Sequence, residues 1–356
     1  MAAPKVFIFA PADPTEETHR RLEMAGCQLV LGKAGWHTPK GDNEDEMAAM
    51  ARDAVALMGT SIRSSPITRR IMASSDQLRI VAKYTIGVDD VDVDAATELG
   101  ILVTHGPTES NWGGVAEGTM AMMLALLKRV RERDEHMKRG GWRLDELQGV
   151  YLGARQDGYP GITIGIVGLG RIGARLALLL QPWRVRLLAH DPYVPRDRFA
   201  LVGARAVDLD TLLRESDVVT LHVTLTRETY HLIGAAELAK MKPTAVLINT
   251  SRGKVVDEAA LAEALERGVI QAAALDVFED EPLAQDSPLL RLGHKVLLSP
   301  HMVSSNLASG LGPGIEWATE SVLRALRGEV PDNVFNKEVI PRWVERFGGR
   351  SVLPAP

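Results

Sequence analysis

The 356-residue chain has a single cysteine, Cys27, so no disulfide can form within it. That fits a reducing compartment and makes a cytoplasmic protein the expectation. Cys27 opens a candidate buried strand (Gly26-Cys27-Gln28-Leu29-Val30), where it reads as a small core residue and not as a nucleophile. No apolar run approaches the roughly 20 residues that a membrane helix needs. The N-terminal MAAPKVFIFAP carries one lysine and a short strand-like run, unlike a signal peptide. Positive charge is not in excess: 41 Lys+Arg against 46 Asp+Glu leave a net charge of −5, which argues against a nucleic-acid or membrane-surface partner. Repeats and low-complexity segments are absent, and no metal site is expected. What remains, 46% hydrophobic and 24% charged residues, is the composition of a soluble globular protein with room for two domains.

The chain is organised around ITIGIVGLGRIGARLALLLQPWRVRLLAHD, residues 162–191. A mostly apolar run, 162–167, is followed by Gly168-Leu169-Gly170-Arg171-Ile172-Gly173, then an apolar helical pattern at Ile172, Leu176, Leu179 and Leu180. A second run, 185–189, ends in His190-Asp191. Strand, glycine turn, helix, strand and acid in that order form a dinucleotide-binding unit. Gly168 permits the tight turn, Gly170 lets backbone N–H groups approach a pyrophosphate, and Gly173 lets the helix pack closely on the sheet. Asp191 follows Gly173 by 18 residues, where its carboxylate can accept from both ribose hydroxyls. It would repel a 2′-phosphate, so NAD is the expected cofactor.

Elsewhere strands and helices alternate. Strands are expected at 5–9, 28–31, 55–58, 78–83 and 101–104, with helices between them at 15–25, 43–53, 67–74 and 92–99. Such alternation over short connections argues for a parallel sheet covered on both faces. The first turn of this unit, Phe9-Ala10-Pro11-Ala12-Asp13, has no phosphate fingerprint. A long helix is expected from Val115 to Lys138, followed by an arm with little periodicity to Gly161. Further strands fall at 218–223, 245–249, 272–277 and 296–299, with helices at 209–214, 236–240, 258–267 and 315–327. The tail from Pro341 reads as loosely held.

The runs VGLGRIG, LHVTLT (221–226), INTSRGKVVDEAAL, AALDVFEDEP and SPHMVSS, in this order, resemble the D-isomer-specific 2-hydroxyacid dehydrogenases. That family includes 3-phosphoglycerate dehydrogenase and the glyoxylate/hydroxypyruvate reductases. The resemblance implies an α/β fold of two doubly wound parallel-sheet domains, a Rossmann NAD domain inserted into a flavodoxin-like substrate domain. Boundaries near 108 and 303 then give a substrate domain of 1–108 with 303–356, and an NAD domain of 109–302. It also implies a homodimer, to which the 130–160 arm would contribute, and a small 2-oxo or 2-hydroxy acid as substrate.

Hydride transfer to a 2-oxo acid needs a carboxylate anchor, a group that polarises the ketone and a proton source. Arg252 follows a strand end, where ligands sit in such sheets, and a planar guanidinium can hold a carboxylate and reach the carbonyl at once. His301, with a reference pKa close to working pH, is the candidate acid in reduction and base in oxidation. Three adjacent acids, Glu279, Asp280 and Glu281, could orient it, and only the family pattern selects Glu281. The resemblance further implies that Arg171 and Ile172 offer backbone to the pyrophosphate and that Thr224 and Thr229 line the adenine side. Thr250 and Asp276 would hold the nicotinamide, with Ser251 and Thr119 beside the cofactor. On the substrate side it implies Ile86 and Gly87 as a carboxylate-binding turn, with Arg63 and Lys83 as cations facing substrate or as solvated surface charges. Tyr84 and Trp112 are bulkier than the family usually carries and are candidates to shape the pocket. A different class, an NAD-sensing scaffold like the corepressors related to this family, is the alternative.

Overall fold

A computed structural model describes residues 3–33, 41–60, 65–307 and 310–354. The chain divides into two compact units, Met1–Asn111 with Asn306–Pro356, and Trp112–Ser305, against the crossings near 108 and 303 that the resemblance implies.

The first unit holds strands β1 (Lys5–Ile8), β2 (Gln28–Leu31), β3 (Ala54–Gly59), β4 (Ile80–Lys83) and β5 (Leu102–Thr104). All pair in parallel, in the order β2-β1-β3-β4-β5, which is the flavodoxin-like order. The central strands are buried at every position because helices cover both faces, so their apolar residues run on without alternation. Local chemistry starts the helices. Asn43 and Glu46 form a reciprocal capping box, each side chain accepting the other's backbone N–H at 3.0 Å, and Asp92 accepts the Ala95 N–H at 2.9 Å. The tail departs from expectation. Residues Ile340–Phe347 form a helix whose Trp343 is fully buried, its indole N–H donating to the Arg79 carbonyl at 2.9 Å. Burial of Trp343 and Phe347, one helical turn apart, holds this segment to the core, and removing a ring of that kind costs about 3–5 kcal/mol.

The second unit holds β6 (Thr163–Val167), β7 (Arg186–His190), β8 (Arg205–Ala206), β9 (Val218–Leu221), β10 (Val246–Asn249), β11 (Ala272–Leu275) and β12 (Val296–Leu298). Its order is β12-β11-β10-β9-β6-β7-β8, again all parallel, so the strand order reverses at β6 and β9. That reversal opens a crevice at the carboxyl ends of the strands, where Rossmann sheets bind ligands. Val167 pairs with both His190 and Leu221, which sets the tips of β6, β7 and β9 level. The expected long helix is two helices, Glu109–Leu127 and Val130–Lys138, broken where Arg129 takes a left-handed backbone (φ 50°). The break falls where the sequence changes from apolar to charged. Met123 and Ala116 are fully buried before it, and nothing in Val130–Lys138 is buried after it. Helix Arg196–Leu201 and the two-residue edge strand β8 are too short and too polar to stand out in the sequence.

Candidate active site

The glycine turn leaves β6 and starts helix Arg171–Leu180 at once. Gly168 has φ +91°, and a Cβ there would lie 2.6 Å from the His222 carbonyl oxygen. A Cβ on Gly173 would lie 2.1 Å from the Gly168 carbonyl oxygen, so both positions require glycine for the turn itself. Gly170 differs: a Cβ there would meet no atom within 4 Å. The protein's own packing does not require glycine at 170, but a group lying against the turn would. No side chain caps this helix, so its first N–H groups and positive dipole end point at that open face. On these atoms the turn fits the pyrophosphate of a dinucleotide.

Asp191 extends the cradle. Its Oδ2 accepts the Leu169 N–H at 2.8 Å and its Oδ1 the Tyr193 N–H at 2.9 Å, which tie the tip of β7 to the glycine turn. Beside them, the His222 Nε2 lies 2.9 Å from the Thr220 hydroxyl, while its buried Nδ1 has no hydrogen-bond partner. Burial pushes the ring's pKa down to about 3, so His222 is neutral at working pH. After β9, the Thr229 hydroxyl donates to the Thr224 carbonyl at 2.6 Å and accepts the Thr226 N–H at 2.7 Å, joining the two expected adenine-side residues in one turn. Arg171 is exposed and Ile172 half-buried at the helix start.

Arg252 follows β10 in extended backbone (φ −142°, ψ 140°), with its guanidinium donating to the Ser251 carbonyl at 2.7 Å. Asn249, 1% exposed at the end of β10, braces this turn. Its amide donates to the Arg252 carbonyl at 2.9 Å, and its Oδ1 accepts the Ser251 N–H and hydroxyl at 3.0 and 2.8 Å. Sequence reasoning gave Asn249 no role, although a polar residue ending an apolar strand was a signal. Thr250 and Thr119 share a buried hydroxyl–hydroxyl hydrogen bond of 2.9 Å.

The loop after β11 carries Asp276 to Glu281. Asp276, 1% exposed, accepts the N–H groups of Met302 at 2.9 Å and Val303 at 3.2 Å, and so fixes the backbone next to His301. Its burial raises the carboxyl's pKa against the opposing pull of Ser299, His301 and those two N–H groups. Gly253 lets the Arg252 turn close onto this loop, since a Cβ there would fall 1.8 Å from the Phe278 carbonyl oxygen. Of the three adjacent acids, Glu281 is the one that meets His301: its Oε2 lies 2.9 Å from Nδ1, and its Oε1 accepts the Phe278 N–H at 3.0 Å. His301 holds a left-handed backbone (φ 55°), an unusual state for a non-glycine residue and one that concentrates at functional sites. Its side chain is 40% exposed and that of Glu281 13%. The chain thus runs from Gly253, next to Arg252, through Phe278 and Glu281 to His301, all within the second unit.

In the first unit, Ile86 and Gly87 lie half-buried in the turn after β4. Two expectations there are corrected. Lys83 is 1% exposed with its ammonium paired to the buried Asp90, so it is neither a solvated surface charge nor a cation open to substrate. Tyr84 is 2% exposed within the core of its unit, so its ring does not form a pocket wall. Arg63 lies outside the described residues. Among the described residues no group of three or more His, Cys, Asp or Glu could hold a metal ion.

Residues 120–303 match the model of the D-isomer specific 2-hydroxyacid dehydrogenase family, NAD binding domain. The chain is also 40% identical to the glyoxylate reductase of Korarchaeum cryptofilum, over 86% of this chain and 90% of that one. The chain belongs to this family. Another member, the D-3-phosphoglycerate dehydrogenase of Methanocaldococcus jannaschii, is 37% identical over 86% of this chain but only 56% of its own length. Among solved structures, the D-lactate dehydrogenase of Aquifex aeolicus, complexed with NAD and lactic acid, matches at a TM-score of 0.76 and 28% identity, covering 95% of this chain and 98% of that one. Family membership makes the protein an NAD-dependent oxidoreductase that interconverts 2-oxo acids and D-2-hydroxy acids.

Proposed function

We propose that the protein reduces a small 2-oxo acid to its (R)-2-hydroxy acid with NADH, using Arg252, Glu281 and His301. The observation that carries this reading is the Glu281–His301 contact of 2.9 Å on a part-exposed ring. A carboxylate on Nδ1 fixes the ring's orientation and holds the Nδ1 proton, which leaves the proton on Nε2 as the one to transfer. When bound, the dinucleotide supplies the hydride for the substrate C2. Arg252 holds the substrate carboxylate and draws electron density from the ketone oxygen. His301 gives its Nε2 proton to that oxygen as negative charge grows there, and Glu281 holds the ring in place through Nδ1. In the oxidative direction the same nitrogen takes the hydroxyl proton. Thr224, Thr229, Arg171 and Ile172 serve the cofactor's adenine and pyrophosphate, and Thr250, Ser251, Thr119 and Asp276 its nicotinamide end. Ile86 and Gly87 offer backbone N–H groups to the substrate carboxylate.

Asp191 supports NADH over NADPH, because its carboxylate would face a 2′-phosphate. Helix Val130–Lys138 buries none of its side chains and exposes Met137, and Trp142, Leu144 and Tyr151 are exposed along the arm that follows. That apolar surface supports a homodimer, testable by light scattering on the intact protein. No helix among the described residues is long and apolar enough to cross a membrane, and burial pushes the Cys27 thiol up to about 11. An unreactive thiol suits the proposed cytoplasmic location. The scaffold alternative is not favoured, since the relatives are named as reductases and dehydrogenases.

The test is NADH oxidation, followed by absorbance, against glyoxylate, hydroxypyruvate, pyruvate, phenylpyruvate and 3-phosphohydroxypyruvate, with NADPH in parallel. Turnover of at least one acid, faster with NADH and giving the (R) product, is the expected result. Tight NADH binding with no turnover of any acid would defeat the enzyme reading.

A further inference from the structure

Two glutamates, Glu279 and Glu281, sit two residues apart on the loop after β11 and each meets a different histidine. Glu281 faces His301. Glu279 Oε1 lies 3.0 Å from His231 Nε2, close enough for a charge contact although off the line of a good hydrogen bond. The same Glu279 makes a reciprocal clasp with Glu258, the first residue of helix Glu258–Arg267. Glu279 Oε1 accepts the Glu258 N–H at 2.9 Å, and Glu258 Oε2 accepts the Glu279 N–H at 3.2 Å. Both ends of the clasp are held by rigid structure. Asp257 caps the helix through the Ala260 N–H at 2.9 Å, and the His231 N–H donates to the Lys254 carbonyl at 2.8 Å with its ring stacked on Tyr230.

We propose that Glu279, clasped to Glu258 and in contact with His231, is a positioning residue that fixes the loop carrying Glu281 and so sets the Glu281–His301 distance. The inference rests on the acid–base reading of those two residues. The electrostatics show why an acid at 279 needs such a device. Asp257, Glu258, Glu279 and Asp280 gather at one place, with the Asp257 Oδ2 4.0 Å from the His231 Nδ1. Burial, with Glu279 and Asp280 adding to it, raises the Glu258 carboxyl's pKa, as expected for like charges held close. His231 is the cation-forming side chain in contact with Glu279, and the helix N-terminus supplies the second stabilising field. On the other side of Glu279 stands Phe278, whose N–H is held by Glu281 and whose carbonyl lies so close to Gly253 that a Cβ there would fall 1.8 Å from its oxygen. With both sides of Phe278 fixed, displacement of residue 279 is passed to residue 281 instead of being absorbed.

The test compares wild type with Glu279→Ala, Glu279→Gln and His231→Asn. Two readouts are used: steady-state kinetics across pH, and the ring signals of His301 followed by NMR with labelled histidine, assigned through His301→Ala. Glu279→Ala should lower kcat by about tenfold or more, since a misplaced catalytic group costs that much, with KM for NADH within about twofold. The NMR signals of the His301 ring should depart from those of wild type once its carboxylate partner drifts away. Glu279→Gln keeps an oxygen for the Glu258 N–H and should restore much of both. The proposal is overturned if Glu279→Ala melts at a lower temperature while kcat, its pH profile and the His301 ring signals all stay at wild-type values. Should Glu279→Ala not fold, unchanged His301 ring signals in Glu279→Gln and His231→Asn together overturn it equally. The NMR arm does not need turnover, so an inactive wild type would count against the proposed function and still leave this inference decided.

Discussion

Each unit begins its sheet with a parallel strand, a turn and a helix, yet the two turns are built for opposite purposes. After β1 the turn contains Asp13, whose carboxylate accepts the N–H groups of Thr15 and Thr18, both at 2.9 Å, and both of their hydroxyls. Burial works against its ionisation, but the Thr18 and Thr15 hydroxyls and N–H groups hold the carboxyl well below the usual range. The start of helix Glu17–Met24 is thereby occupied by the chain's own anion. After β6 the turn contains three glycines and no capping side chain, and the start of helix Arg171–Leu180 is left for an anion from outside. The same topology becomes a structural joint or a phosphate site according to whether the sequence places a carboxylate or glycines at the turn.

That contrast can be broken at four positions. The largest effect is expected at Lys83→Met, which leaves the buried Asp90 without its cation. Breaking a buried pair costs about 3–5 kcal/mol, so the melting temperature should fall by about 10 °C while the NADH dissociation constant stays within twofold. A drop in NADH affinity with stability retained would contradict the structural role given to Lys83. Gly173→Val comes next. Its side chain must push the Gly168 carbonyl away, and NADH affinity measured by fluorescence titration should weaken about a hundredfold or more, with some loss of stability. Gly170→Ala sharpens the point, because the new methyl meets open space. It should leave the melting curve unchanged and weaken NADH binding about tenfold by crowding the pyrophosphate. Asp13→Ala should do the reverse, costing about 1–2 kcal/mol at pH 7, as cap removal does, with NADH binding untouched. Because the folded pKa of Asp13 is depressed, this contribution is fully present above the unfolded value of ~3.9 and is lost as pH falls towards the folded one. Denaturant melts of wild type and Asp13→Ala should therefore begin to converge below about pH 4 and draw closer as the pH falls further.

Much of this contrast was legible in the sequence. The glycine spacing, the two apolar runs around it and the acid at 191 make sense in one dimension, because a βαβ unit is local in the chain. That both sheets are parallel follows from alternation over short connections, whereas their strand orders were implied only by the family resemblance. What escaped was chemistry between residues distant in the sequence or hidden by burial. Lys83 looks like a surface charge until the chain's turn brings Asp90 beneath it, seven residues on. Tyr84 looks like a pocket wall until the sheet encloses it. The helix Ile340–Phe347 has only Trp343, Phe347 and their neighbours as a signal, and that short stripe becomes informative only against the core that receives it. Glu279, Asp280 and Glu281 were indistinguishable by spacing. Their partners lie on different elements, His231 and Glu258 for Glu279, and His301 for Glu281. No periodicity encodes that choice.

The account stands most directly on the proton carried by His301. The decisive measurement is the single-turnover rate of NADH oxidation at saturating 2-oxo acid, wild type against His301→Ala, with the NADH dissociation constant determined for both. The predicted result is a rate lower by about 10²–10⁴-fold in the variant, the usual contribution of a positioned general acid, with NADH binding unchanged within twofold. A variant that turned over at the wild-type rate would contradict it.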